Sequence, residues 1–155
     1  MPPRPGYDSA KVTSGETLEH LEEIKAGQQT IAIIVRNEFG RDGTQFFTPA
    51  EFPMQLGYMK HMKGYRIGEH VHRPLARQVE RTQETLFVKR GRVRVDFYTD
   101  DKAYLTSREL AGGDVILLVS GGHGFEFLEE TEIIEVKQGP HFGKDDKERF
   151  PGIRP

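Results

Sequence analysis

The sequence predicts an all-β fold, a sandwich or barrel of short strands preceded by one short helix. Three observations carry that prediction. Short β-branched and aromatic runs recur about every ten residues from Gln29 onward, with Gly, Pro or Asp turn signals between them. Val93, Val95 and Phe97 alternate with Arg92, Arg94 and Asp96, the period-two signature of a strand with one buried and one wet face. Helical spacing occurs once, near the N-terminus.

The elements follow in chain order. Residues 1–12 carry Pro2, Pro3 and Pro5 with little apolar surface, and read as an extended arm. Thr13-Ser-Gly-Glu16 has capping-box spacing; Leu18, Leu21 and Ile24 recur at three-residue steps, and Gly27 supplies a stop. Arm and short amphipathic helix together span residues 1–27. Thr30–Val35 is β-branched and apolar, and Met54–Met62 is a mixed run broken by Lys63-Gly64. Thr82–Val88 leads through Gly91 into the alternating strand, and Thr99-Asp-Asp-Lys102 makes a turn. Tyr104–Leu110 returns to Gly112-Gly113. Val115–Val119 is apolar at every position, so both its faces are expected to be covered. Gly121-Gly122 opens the strand of Phe125 and Phe127, and Ile133, Ile134 and Val136 form the last one. The barrel thus occupies residues 28–139. Residues 140–155 form a polar tail, which Phe142, Phe150 and Ile153 can anchor.

Composition narrows the function classes. With 22 Lys+Arg against 24 Asp+Glu, the 155-residue chain has a formal net charge of −2, without the basic excess of a nucleic-acid binder. No window approaches the roughly 18 apolar residues of a membrane span, and Met1-Pro-Pro-Arg-Pro lacks the apolar stretch of a secretory signal. The expectation is a cytoplasmic protein with no nucleic-acid or membrane partner. In the absence of cysteine, any metal must be held by His and carboxylates.

The chemistry-bearing residues are few. His70-Val71-His72, if on a strand, points both imidazoles one way, which makes half of a metal site. Glu84 shares a strand face with Leu86 and Val88, and a carboxylate facing a core must be paired, protonated or coordinated. With the face reversed, Thr85 and Phe87 point inward and Glu84 is solvated; the strand pattern permits both. His123 begins a strand after a glycine turn and shares a face with Phe125 and Phe127, as a satisfied core histidine also would. Arg66, Arg73 and Arg77 are candidates to bind a substrate carboxylate or phosphate. Tyr58, Tyr65 and Tyr98 are candidate proton donors or stacking platforms, with Tyr98 taken as the catalytic candidate. His61 and His141 have no partner at ligand spacing and read as surface residues.

Gly68-Glu-His70-Val-His72, followed by Glu84 six residues before Gly91, resembles the first motif of the cupin superfamily. Gly113 with Val119-Ser-Gly-Gly-His123 resembles the second. The resemblance covers roughly Tyr58 to Gln138 and, for the whole chain, extends to single-cupin proteins associated with polysaccharide biosynthesis. It implies a double-stranded β-helix, the jelly-roll barrel, and a divalent metal (Fe, Mn, Ni or Zn) held by His70, His72, Glu84 and His123. The chain departs from the pattern in several places. Eleven residues separate His72 from Glu84, so Arg73–Arg81 forms an insertion; Val119 replaces the usual proline; and His123 sits one residue early.

Three functions are compatible with these residues. One is a metal-binding cupin acting on a small polar, carbohydrate-type substrate, as an isomerase or dioxygenase. Another is a metal-free sugar-nucleotide ketoisomerase or epimerase, because Gly68-Glu-His70-Val-His72-Arg73 also resembles a segment of that cupin group in which histidines act as base and relay. The last is a non-catalytic module binding a sugar or organic acid. A homodimer is expected, joined through Thr30–Val35 and the preceding segment.

Overall fold

A computed structural model describes residues 18–152, which contain ten strands and almost no helix. In chain order these are β1 (Leu21–Ala26), β2 (Gln29–Val35), β3 (Gly43–Phe46), β4 (Gly57–Lys60), β5 (Glu84–Arg90), β6 (Arg92–Tyr98), β7 (Tyr104–Ala111), β8 (Val115–Leu118), β9 (Gly122–Phe127) and β10 (Glu132–Lys137). The described residues divide into two compact units, one of residues 40–80 and one of residues 18–39 with 81–152. No helix among them is long and apolar enough to cross a membrane.

The larger unit holds two antiparallel sheets, ordered β1-β2-β8-β5-β10 and β7-β6-β9. Their inner faces share one apolar core. The first sheet gives it Ile24, Ala32, Ile34, Leu86, Val88, Ile116 and Leu118; the second gives Val93, Val95, Phe97 and Leu110. Period-two alternation explains most of this set, since every second side chain of a strand faces the same way. β2, buried from Ile31 to Val35, and β8 depart from it, the latter as the sequence anticipates. Ile116, Leu117 and Leu118 are all buried, so both faces of that strand are covered.

The segment expected to be a helix is corrected here. Leu21–Ala26 is a strand, paired with β2 from Leu21↔Val35 to Ala26↔Gln29. Gly27, with φ at +61°, opens the two-residue turn between them, a conformation glycine adopts without the steric cost of a Cβ. Gly27 therefore closes a hairpin instead of stopping a helix. The three-residue spacing of Leu21 and Ile24 was misleading because it is too short to separate the two periods, and a register shift lies directly after Ile24. The capping residues Thr13 and Glu16 lie outside the described residues.

On β6 the face opposite Val93, Val95 and Phe97 is not wet throughout, another correction. Asp96 is buried, accepting hydrogen bonds from Arg94 Nε at 3.0 Å and Ser107 Oγ at 2.5 Å. Those partners let a carboxylate occupy a position the alternation assigned to solvent. The β5–β6 connection needs its glycine. At Gly91, with φ +91°, an added Cβ would stand 2.4 Å from the Glu130 carbonyl oxygen.

The segment after β10 packs against this unit. It makes a 3₁₀ turn over Gly143–Asp146, and the Phe150 ring meets Tyr98 edge-on at 5.1 Å. Phe142 is exposed, and Ile153 lies outside the described residues.

In the unit of residues 40–80, β3 and β4 form a hairpin from Gly43↔Lys60 to Phe46↔Gly57. The sequence reading missed β3, and β4 is shorter than the run Met54–Met62. The connecting loop is tied by Gln55, whose Nε2 donates to the carbonyl of Phe52 at 2.8 Å and whose Oε1 accepts from Thr48 Oγ1 at 2.8 Å. Residues 61–80 contain neither helix nor strand.

Candidate functional site

Glu84 is the first residue of β5, opposite Leu118 of β8 and Lys137 of β10. It faces the core with Leu86 and Val88, while Phe87 points outward and is 40% exposed. This resolves the orientation that the sequence left open: the carboxylate is inside, only 6% exposed.

His123 arrives from the other sheet. It stands opposite Phe97 on β6, and directly opposed residues of an antiparallel pair point the same way. His123 therefore shares the core face with Phe125, whose ring lies 5.4 Å away. The glycine turn before it is needed because a Cβ on Gly121 would stand 2.2 Å from the Tyr98 carbonyl oxygen.

The two side chains meet inside the larger unit, with His123 Nε2 3.2 Å from Glu84 Oε2. The N–H of His123 donates to the carboxylate and is the main influence holding the Glu84 carboxyl below its usual range. Burial opposes it, while the positive charges of Lys147 and Lys137 assist. Lys147 Nζ is 4.0 Å from Glu84 Oε1. Glu84 is thus an anion at neutral pH, buried but paired, as the cost of desolvating a carboxylate requires.

This pair fits part of a metal site. Two donors bound at about 2.1 Å to one ion lie roughly 3.0–3.4 Å apart for right-angled to tetrahedral geometry, so the separation serves co-ligation as well as a hydrogen bond. Ligation would require the Nε2 proton of His123 to leave. Within neither unit do three His, Asp or Glu side chains of the described residues converge into a group able to hold an ion.

Tyr98 closes β6 opposite Gly122 and is buried in aromatic packing, its ring edge-on to Tyr104 at 5.8 Å as well as to Phe150.

The remaining candidates belong to residues 40–80. His70-Val71-His72 lies outside any helix or strand, with Val71 89% exposed. The two imidazoles are nevertheless neighbours, their centroids 5.3 Å apart at 76°. His70 Nδ1 is 2.9 Å from the Gly68 carbonyl oxygen. A carbonyl only accepts, so Nδ1 carries the proton and the neutral ring has its lone pair on Nε2, the tautomer a ligand or base needs. Arg66 is paired with Glu69 at 2.7 Å, and Arg73 and Arg77 are exposed. Tyr65 stacks on His61 at 3.8 Å, and His61 Nε2 lies 2.9 Å from Thr44 Oγ1.

Sequence reasoning missed the cations beside Glu84. Lys147 belongs to the segment read as a polar tail, and Lys137 ends β10. No motif marks either one; the register of β10 on β5 sets Lys137 opposite Glu84, and the chain path after β10 brings Lys147 there.

Compared with models of known protein families, with curated proteins and with solved structures, the chain matches none.

Proposed function

We propose that this protein is a metal-binding single-cupin protein acting on a small polar, carbohydrate-type substrate. The observation that carries the reading is the meeting of Glu84 and His123, a buried carboxylate and an imidazole separated by 38 residues of sequence and brought from different sheets to 3.2 Å. On this reading the other two ligands are His70 and His72, as the motif resemblance implies, and the two antiparallel sheets belong to a jelly roll. The sheet orders β1-β2-β8-β5-β10 and β7-β6-β9, in which β2-β8, β8-β5, β5-β10 and β6-β9 are non-consecutive neighbours, support that topology over a simple meander.

Three imidazoles and one carboxylate suit a borderline divalent ion, which would supply Lewis acidity toward a substrate carbonyl or hydroxyl. The chain's own residues have separate tasks. Glu84 is held ionised, and His123 is held by it in one orientation. His70 keeps its Nε2 lone pair available through the hydrogen bond to Gly68.

A metal-free isomerase is the second reading. The closed hydrogen bond between Glu84 and His123 favours it, because a carboxylate that orients an imidazole makes a general base without any ion.

Elemental analysis of untagged protein separates the two. The metal reading expects about one divalent ion per chain, lost in both His72→Ala and His123→Ala while each variant still melts cooperatively. Full occupancy in both variants, or no metal in the parent after incubation with Fe, Mn, Ni or Zn, rejects it.

A further inference from the structure

The segment Lys144-Asp-Asp-Lys-Glu-Arg149 has three cations and three anions, so by composition it is neutral. The fold engages two of the anions elsewhere. Asp146 accepts from Thr82 Oγ1 at 3.3 Å, and Glu148 is paired with Lys102 at 2.5 Å. The three cations instead line one cavity of about 470 Å³ with Lys137, His141 and Gly143. Among the described residues, Lys137, Lys144 and Arg149 form no ion pair, and Lys147 has only Glu84, at 4.0 Å. Four cations and an imidazole therefore line one concavity, and among the described residues the single ion pair these cations make is that of Lys147 with Glu84, which His123 also engages.

We propose that this cavity binds the phosphate or diphosphate group of a small-molecule ligand. Converging cations repel one another, and an anion placed among them relieves that repulsion while gaining charge-assisted hydrogen bonds. Arg149 offers a planar fork for two phosphate oxygens, and the lysines act as point charges. The volume falls in the range of small-ligand sites and exceeds what one phosphate fills, which leaves room for the group that carries it. Lys147 is common to the cavity and to the Glu84–His123 pair, so a bound anion would place the attached moiety beside that pair. The inference does not depend on the metal reading.

The test is calorimetric titration of the full chain at low ionic strength with inorganic pyrophosphate and, separately, glucose 1-phosphate. It is run on protein as purified and again after dialysis against EDTA. Saturable binding is expected in both preparations. The double variant Lys144→Gln/Arg149→Gln should weaken it at least about tenfold, Lys144→Arg should retain it, and Lys89→Gln, outside the cavity, should leave it unchanged. Tighter binding of the sugar phosphate identifies an organic ligand, and equal binding a site for the anion alone; both uphold the cavity. No saturable heat from either probe overturns the proposal, as does a double variant that binds as the parent does. Binding that vanishes with EDTA overturns it too, because the anion would then be held by a metal.

Discussion

Glu84 shows how one side chain can serve stability and function with opposite signs. A buried ion pair contributes little net stability, yet removing one partner strands the other in a poor solvent. His123→Ala should therefore cost about 2–3 kcal/mol, because the carboxylate loses its nearest donor. Glu84→Leu should leave the urea midpoint unchanged or raise it, since an aliphatic group then sits among Leu86, Val88 and Leu118. A large loss of stability in Glu84→Leu would mean that the pair is a structural fastening, which counts against the proposed site. The sequence showed that Glu84, Leu86 and Val88 share a face but not which way that face turns. Alternation fixes relative orientation alone, and Phe87 was an equally credible inward residue until β10 and β8 were placed beside it. His123 was legible for the same reason, through its parity with Phe125 and Phe127. Lys147 was not, because its place beside Glu84 depends on the path of a segment with no periodic pattern, and Lys137 was not, because alternation does not say which strands pair.

At the scale of elements, turns carried the most readable information and the N-terminal segment the least. Gly91, Gly113 and Gly121 all mark turns with positive φ, as their glycine signals indicated. The segment before Gly27 had three apolar residues at helical spacing, and the neighbouring β2 overrode them by offering a full ladder of backbone hydrogen bonds. The turn after β6 yields a pH prediction. Asp100 accepts from Arg81 at 2.7 and 3.0 Å, from Gln29 at 2.9 Å and from the Gly121 amide at 3.1 Å. These bonds, Arg81 foremost, lower its carboxyl from 3.8 to about 2. The folded state is the stronger acid, so the contribution is complete above pH about 4 and disappears as the pH falls through about 2. The side chain is 44% exposed and screened, which limits the effect to about 1 kcal/mol or less. Urea melts at pH 5 and pH 2 should show a smaller acid loss in Asp100→Asn than in the parent, and equal losses would refute the assignment.

For the whole molecule, the all-β class was legible because strand spacing and turn residues agree along most of the chain. The division of residues 40–80 from the rest was not, since a contact boundary leaves no mark in periodicity. Of the two segments expected to join a homodimer, Thr30–Val35 and the one preceding it, the second alone keeps a sheet edge. β2 already has β1 and β8 on its two sides, so Thr30–Val35 has no free edge, whereas β1 and β10 end their sheet. We expect light scattering to report a dimer at micromolar concentration; a monomer would remove that proposal.

The contact of Phe150 with Tyr98 has a spectroscopic consequence. The chain has five tyrosines and no tryptophan, so no indole masks phenol absorption or drains its emission. Tyr98 is buried against the ring that pins the C-terminal segment. Its near-ultraviolet dichroism is therefore a built-in gauge of whether that segment is seated, readable without a label.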